Sequence, residues 1–122
     1  MRQPAKDFIA GTVVNVEFPF QERDGSKMRP AVVISFNQDV TRVVLLQVTS
    51  QDARTDFDYT IKDYKDTGFT KNPSVVRCNA VLTVPNDQEL QKKGVLSRRD
   101  FLAVSALYRQ AVELKKLEYY DD

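Results

Sequence analysis

The strongest constraint on the fold is a change in the spacing of apolar residues near the end of the chain. Up to Val84, short apolar or alternating segments recur between polar stretches. After Ser97, by contrast, Phe101, Val104 and Tyr108 repeat at helical spacing. Several short strands before one amphipathic helix, with no alternation of strands and helices, predict a curled antiparallel sheet or small barrel with the helix packed on it.

Five segments are predicted to form strands. They either alternate apolar with polar residues, which indicates one buried face, or are continuous β-branched runs, which are typical of buried strands. A kink is expected around Asn79 in the last of them. The predicted strands cover Val14 to Phe20, Ala31 to Phe36, Arg42 to Thr49, Phe57 to Lys62 and Val75 to Val84.

The whole chain of 122 residues is predicted to form a single domain. Residues 1–10 are interpreted as an N-terminal arm, 11–84 as the strands and loops of the barrel, and 97–117 as the C-terminal helix. Ser97 and Asp100 have the form of a capping box at the start of that helix. The connections are predicted as a turn at Asp24-Gly25, a hairpin loop at Asn37-Gln38-Asp39 and a short helical turn from Asn86 through Leu90.

The counts of histidine and cysteine exclude several classes of enzyme. The chain has no histidine, so it contains neither a Ser-His-Asp triad nor a histidine-based zinc site. Its one cysteine, Cys78, cannot form an internal disulfide, and a reducing cytoplasm is therefore expected. Because Cys78 lies in an apolar run, we interpret it as an inert packing residue.

The net charge and the hydropathy of the chain limit the kinds of partner that it could bind. Lys and Arg number 18 and Asp and Glu number 17, a net charge of +1, so any nucleic-acid site must be a local basic patch. The longest apolar runs, such as Val43 to Leu46, are far shorter than the roughly 18 residues of a membrane span. No secretory signal is recognised at the N-terminus, so we expect a cytoplasmic protein that does not bind a membrane.

Arg29 and Thr49 are the first candidate site residues. Pro30 biases Arg29 toward an extended conformation where the polar loop enters a buried strand. A guanidinium held there can bind a phosphate with two donors. In an antiparallel hairpin the start of one strand lies beside the end of the next, so Arg29 and Thr49 could be neighbours. On spacing alone a simpler alternative remains. Arg29 would then be an exposed arginine, and the hydroxyls of Thr49 and Ser50 would only satisfy backbone groups of the loop.

The stretch from Gly11 to Ser35 resembles the signature of the MazF/PemK family of bacterial toxins. Its members share a Gly-led strand that often continues into Phe-Pro-Phe, a loop, and an Arg-Pro-Ala-Val-Val block. Later segments that resemble the family occur in the same order over about residues 9–117. The matching segments are Phe18-Pro19-Phe20, Arg29-Pro30-Ala31-Val32-Val33-Ile34-Ser35, Val48-Thr49-Ser50, Gly68-Phe69, Ser74-Val75-Val76-Arg77 and Leu82-Thr83-Val84.

The resemblance implies a mainly β SH3-like barrel with a C-terminal helix that forms a homodimer. It also implies a sequence-specific endoribonuclease that cleaves single-stranded RNA and is neutralised by a cognate antitoxin. The family's catalytic arginine falls on Arg29 and its catalytic threonine on Thr49. Two alternatives stay open, because fold alone does not fix function: a non-enzymatic toxin of the same fold that inhibits DNA gyrase, and an SH3-like binding module.

The expected reaction is attack of the RNA's own 2′-hydroxyl on the adjacent phosphate, with Arg29 stabilising the developing charge and Thr49 donating a hydrogen bond. The base could be Glu17 or Asp24, or there could be none. We expect no cofactor and no metal, because no cluster of carboxylates is visible. Further residues that could bind RNA are Phe20, Arg23, Lys27, Ser50, Lys71 and Arg77.

Overall fold

The computed structural model describes residues 2–19, 26–35 and 41–120. Within these ranges the chain forms seven strands, a short 3-10 turn at Ala5–Asp7 and one C-terminal helix. The strands are β1 Arg2–Pro4, β2 Thr12–Pro19, β3 Ser26–Val33, β4 Arg42–Thr49, β5 Asp58–Thr60, β6 Val75–Pro85 and β7 Glu89–Val95, and the helix is α1 Arg98–Tyr120. The predicted mainly β fold with a C-terminal helix is confirmed.

The seven strands form one sheet in the order β1-β7-β2-β3-β4-β6-β5. Every neighbouring pair is antiparallel. The centre of the sheet is therefore β2, β3 and β4, which are consecutive in sequence. This arrangement places the β3–β4 hairpin, which carries the candidate site, between well-paired neighbours.

Both faces of the central strands are buried. On one face, Val14, Ala31 and Leu45 pack with Ala5 and Phe8 of the N-terminal segment. The other face packs against α1 and the segment that follows β5, and its buried residues include Val13, Val32, Leu46, Val48 and Val104. Burial on both faces explains why the predicted β3 and β4 segments are continuous apolar runs rather than alternating ones.

The prediction of a helical turn from Asn86 through Leu90 is wrong, because residues 89–95 form β7. This strand pairs with β2 on one side and with β1 on the other. Its sequence carries two lysines and a glutamine between Leu90 and Val95, so no apolar period marks it as a strand. The residues taken as an N-terminal arm, 1–10, contribute β1 to the same edge of the sheet.

Several boundaries also differ from the sequence-based prediction. β3 begins at Ser26 rather than at Ala31, so Arg29 lies inside a strand and not at a loop junction. β5 is limited to Asp58–Thr60. The kink expected around Asn79 is confirmed by a register shift, since Leu46 pairs with Val81 while the next residue, Gln47, pairs with Arg77. The predicted turn at residues 24–25 and hairpin loop at 37–39 lie outside the described residues.

The start of α1 is fixed to the segment after β5 by a polar network. The Ser97 hydroxyl accepts a hydrogen bond from the Asp100 N–H at 3.1 Å, which is half of the predicted capping box. The Asp100 carboxylate turns away from the helix. It accepts hydrogen bonds from the Tyr59 hydroxyl at 2.6 Å and from the backbone N–H groups of Lys62 and Asp63 at 3.1 and 2.9 Å.

Asp63 completes this network. Its carboxylate accepts a hydrogen bond from the Ser97 hydroxyl at 2.7 Å and forms a salt bridge with Arg99, also at 2.7 Å. The hydrogen bond from Ser97, followed by that from Arg99, holds the pKa of Asp63 below its usual value. Burial and the hydrogen bond to Asp100 raise the pKa of Tyr59. The network therefore ties the chain between β5 and β6 to the helix N-terminus.

Candidate active site

A cavity of about 470 Å³ opens at the end of the sheet where β4 ends. Its lining comes from β2, β3, β4 and the bend after it, the segment between β5 and β6, and β7. The described lining residues are mainly polar or cationic. They are Asn15, Met28, Arg29, Pro30, Val48, Thr49, Ser50, Gln51, Phe69, Thr70, Lys71, Ser74 and Lys93.

Arg29 and Thr49 both line this cavity, as the hairpin argument predicts. On one side, Arg29 pairs with Val16 of β2. On the other, β3 pairs with β4 through Ala31 and Gln47, and continuing this antiparallel register by two residues sets Arg29 opposite Thr49. The β3–β4 ladder ends next to Pro30, which has no N–H to donate. The strands thus separate at the point where the two side chains meet the cavity.

The Thr49 hydroxyl accepts a hydrogen bond from the Gln51 N–H at 3.2 Å. A hydroxyl that accepts one bond keeps its own proton for donation, so Thr49 can still act as a donor toward a ligand. Ser50 also lines the cavity. Strand alternation would direct it to the opposite face, but β4 ends at Thr49 and Ser50 lies in the bend that follows.

The opposite wall is formed by the segment between β5 and β6, through Phe69, Thr70, Lys71 and Ser74. This wall is held by its own hydrogen bonds. The Ser74 hydroxyl donates to the Lys71 carbonyl at 2.7 Å, and the Ser74 N–H donates to the Tyr64 hydroxyl at 2.9 Å. The backbone that carries Lys71 is therefore fixed beside the cavity.

The charged and polar groups around the cavity suit an anionic ligand. Three of the lining residues, Arg29, Lys71 and Lys93, carry cationic side chains, and the described lining residues include no carboxylate. Hydroxyl and amide groups supply further donors around them. Guanidinium and ammonium groups converging on one space favour a phosphate ligand, because charge-assisted hydrogen bonds are about twice as strong as neutral ones.

The other predicted site residues are distributed differently. Arg77 does not line the cavity, and its Nε lies 3.9 Å from the Asp58 Oδ1. That oxygen is buried and accepts no hydrogen bond within the described part of the chain. Lys27 lies in β3, paired with Phe18 of β2. Phe20 and Arg23, predicted to bind RNA, lie outside the described residues.

The candidates for a general base do not line the cavity either. Glu17 is exposed on β2, and Asp24 lies outside the described residues. Among residues 2–19, 26–35 and 41–120, no three His, Cys, Asp or Glu side chains are placed to hold a metal ion. Cys78 is fully buried, and burial raises its pKa to about 12, so its thiol stays protonated at neutral pH.

Asn15 and Lys93 are among the lining residues that were not predicted from the sequence. Asn15 occupies a polar position in the alternating pattern of β2, which the sequence does show. Lys93 was missed because β7 was not recognised as a strand.

In the described part of the chain, no helix has both the length and the apolar character needed to cross a bilayer.

Three solved structures, an endoribonuclease bound to its antitoxin and two MazF proteins, share this fold. An endoribonuclease in complex with its cognate antitoxin, from a mycobacterial species, superposes with a TM-score of 0.70 at 14% sequence identity, covering 88% of this chain and 96% of that one. The MazE–MazF complex of Deinococcus radiodurans gives a TM-score of 0.64 at 18% identity, with 87% and 97% covered. The Mycobacterium tuberculosis toxin MazF-mt6 gives 0.61 at 19% identity, with 82% and 95% covered.

The sequence itself carries the family assignment. A search of curated protein sequences gives no match. The sequence profile of the PemK-like, MazF-like toxins matches residues 9–112, which include every strand from β2 to β7 and most of α1. The chain therefore belongs to the family of PemK-like, MazF-like toxins of type II toxin–antitoxin systems.

Proposed function

We propose that this toxin is an endoribonuclease that cleaves single-stranded RNA at the cavity between Arg29 and Lys71. The observation that carries the proposal is the convergence of Arg29 and Thr49 with two lysines around one cavity whose described lining residues include no carboxylate. An RNA phosphate is the ligand whose charge and geometry fit this arrangement. Family membership and the endoribonuclease relatives of the same fold support it.

The proposed reaction is attack of the 2′-hydroxyl oxygen on the adjacent phosphorus. A new P–O bond forms, the bond to the 5′ oxygen of the next nucleotide breaks, and the products carry a 2′,3′-cyclic phosphate and a 5′-hydroxyl. Arg29 stabilises the extra negative charge on the phosphate, and Thr49 donates one further hydrogen bond to it. Preformed donors aimed at developing charge make the largest contribution to such a step.

Proton transfer in this proposal does not depend on a carboxylate of the described lining. The proton of the 2′-hydroxyl passes to a water molecule, and the leaving 5′ oxygen takes up a proton from water. Neither step needs a metal ion, so we expect the cleavage rate to be unchanged by EDTA.

The proposal includes two protein partners and a compartment. A cognate antitoxin neutralises the toxin, as the antitoxin complexes of two solved structures with the same fold support. In this proposal the antitoxin covers the Arg29 side of the cavity, where the cationic residues favour a carboxylate. Both RNA substrate and antitoxin would be met in the cytoplasm. The second protein partner is another copy of the chain. This homodimer is supported by an apolar groove between β6 and α1, whose lining includes Val81, Val112 and Leu114.

The homodimer is testable by mass. Val81, Val112 and Leu114 are each about half exposed, at 50%, 45% and 49%, which is unusual for a cluster of large aliphatic side chains on a monomer. We expect light scattering after size exclusion at micromolar concentration to give twice the 14.0 kDa mass of the chain. A mass of one chain across that concentration range would contradict the dimer.

The proposed function is tested by incubating the purified toxin with a long single-stranded RNA and mapping the cut ends by primer extension. Cleavage at a recurring short sequence is the expected result. A parallel reaction with DNA gyrase and supercoiled DNA examines the alternative. Intact RNA together with trapped, cut DNA would replace the endoribonuclease by a gyrase poison, and neither effect would favour a binding module.

Thr49→Ala is expected to slow cleavage by about 10- to 100-fold, because it removes one neutral hydrogen-bond donor worth about 1.5–3 kcal/mol when its partner is charged. Thr49→Ser keeps the hydroxyl and should retain most of the rate. Thr60→Ala on the exposed end of β5 is the matched control, since Thr60 lies outside the cavity. Single-turnover cleavage of a fluorescent RNA measures all three, and equal rates for Thr49→Ala and Thr60→Ala would contradict the role of Thr49.

A further inference from the structure

Lys93 occupies a β-bulge. Across the β2–β7 ladder, Val13 pairs with Gly94 and Val14 pairs with Lys92, so Lys93 has no opposite residue on β2. A bulge bends its strand and changes the direction of the extra residue's side chain, and such bulges are frequent next to active sites. Lys93 lines the cavity, whereas its neighbour Lys92 is exposed and does not.

The same point of β7 receives the segment between β5 and β6. A Cβ on Gly94 would lie 2.2 Å from the Asp66 carbonyl oxygen, and one on Gly68 would lie 2.5 Å from the Lys93 carbonyl oxygen. The Val95 N–H donates to the Asp66 carbonyl at 2.8 Å. Only glycine allows both approaches, and Gly68 also has a φ of +76°.

These contacts couple the positions of the two lysines of the cavity. The Gly68 backbone lies against the Lys93 backbone, and the chain then continues into Phe69 and Lys71, which form the opposite wall of the cavity. The bulge therefore sets Lys93 and Lys71 beside the same space, while Arg29 reaches it from β3. A lysine is a compact point charge with three donors and no acceptor, so an anionic oxygen such as that of a phosphate fits it.

We propose that Lys93 binds an RNA phosphate next to the one that is cleaved, and so holds the strand across Arg29 and Thr49. This inference rests on the proposed endoribonuclease function. Arg29 acts on the reacting phosphate, whereas Lys93 contributes to affinity, because contacts to neighbouring phosphates position a nucleic acid without taking part in the reaction. Its loss should therefore raise Kd and KM and leave kcat nearly unchanged.

The test compares Lys93→Ala with Lys92→Ala, which removes the same charge from the adjacent position of the same strand. The probe is a fluorescent single-stranded oligonucleotide with the mapped cleavage sequence and a 2′-deoxy nucleotide at the cut, which binds without being cleaved. Anisotropy titrations at several KCl concentrations give Kd and its salt dependence. The all-ribose oligonucleotide gives kcat and KM.

Lys93→Ala is expected to raise Kd by about 5- to 20-fold and to lower the slope of log Kd against log salt by about 0.7, the value for one phosphate contact on a single strand. Lys92→Ala should change Kd by less than about twofold, and Lys93→Arg should restore most of the affinity. Lys93→Gln, which keeps much of the side chain's length, repeats the test if Lys93→Ala lowers the melting temperature.

Equal Kd values for the Lys93 and Lys92 variants would overturn the inference while leaving the endoribonuclease intact. The same holds if Lys93→Ala lowers kcat without changing KM. A wild-type toxin that cuts no RNA would instead overturn the proposed function and, with it, the role of Lys93.

Discussion

Replacing Arg29 by alanine is expected to reduce RNA cleavage by about 100- to 1000-fold, the usual cost of losing one donor to developing charge. The side chain lines the cavity from within β3, where pairing with Val16 fixes the backbone. The loss should appear in kcat, because the role proposed for Arg29 is to stabilise the phosphate as its charge increases during the reaction. Folding should be retained, since Arg29 is only half-buried.

Arg42→Ala is the matched control for this change. Arg42 begins β4 at the end opposite Thr49, is exposed, and donates hydrogen bonds to the Thr83 hydroxyl and carbonyl at 2.8 and 3.0 Å. Both variants lose one guanidinium from the same hairpin, yet only Arg29 lines the cavity. Single-turnover rates near wild type for Arg42→Ala and near background for Arg29→Ala are expected. A wild-type rate for Arg29→Ala would remove Arg29 from the reaction.

Asp100→Ala is expected to cost about 3 kcal/mol in the free energy of unfolding, since hydrogen bonds to a buried charged group are worth about 1.5–3 kcal/mol each and part of the loss is regained through water. The carboxylate is fully buried and accepts three hydrogen bonds from residues 59–63. Without it, two backbone N–H groups and the Tyr59 hydroxyl lose their partner. The segment that leads into the cavity wall would loosen from α1.

Urea unfolding followed by circular dichroism measures this effect. Asp100→Asn, which keeps the shape and one acceptor oxygen, should fall between alanine and wild type. Asp87→Ala is the control, because Asp87 is exposed in the turn between β6 and β7. Should Asp100→Ala and Asp87→Ala unfold at the same urea concentration, the network would not hold the segment to the helix.

The Arg29–Thr49 pair could be predicted from the sequence because it depends only on a hairpin. Two consecutive strands joined by a short loop pair antiparallel, and a residue near the start of one then lies close to a residue near the end of the other. The prediction misplaced the start of β3, and Arg29 and Thr49 nevertheless line the same cavity. Local signals likewise placed Ser97 at the helix N-terminus.

Other parts of the site depend on contacts between distant segments, which no local pattern reveals. β7 is rich in charged residues, and its strand structure comes from pairing with β1 and β2 rather than from its own apolar period. The approach of Gly68 to Lys93 joins two segments that are separate in the sequence. The Asp100 carboxylate fits a helix cap by sequence, but its partners lie after β5.

The most direct test of the central claim is the mass of the RNA ends that the toxin produces. An oligonucleotide with the mapped cleavage sequence is incubated with the toxin in EDTA, and the fragments are weighed by mass spectrometry. We expect a 2′,3′-cyclic phosphate on one fragment, a 5′-hydroxyl on the other, and no cleavage when the nucleotide before the cut is 2′-deoxy. A 5′-phosphate, or cleavage of the 2′-deoxy oligonucleotide, would contradict attack by the 2′-hydroxyl at the Arg29 cavity.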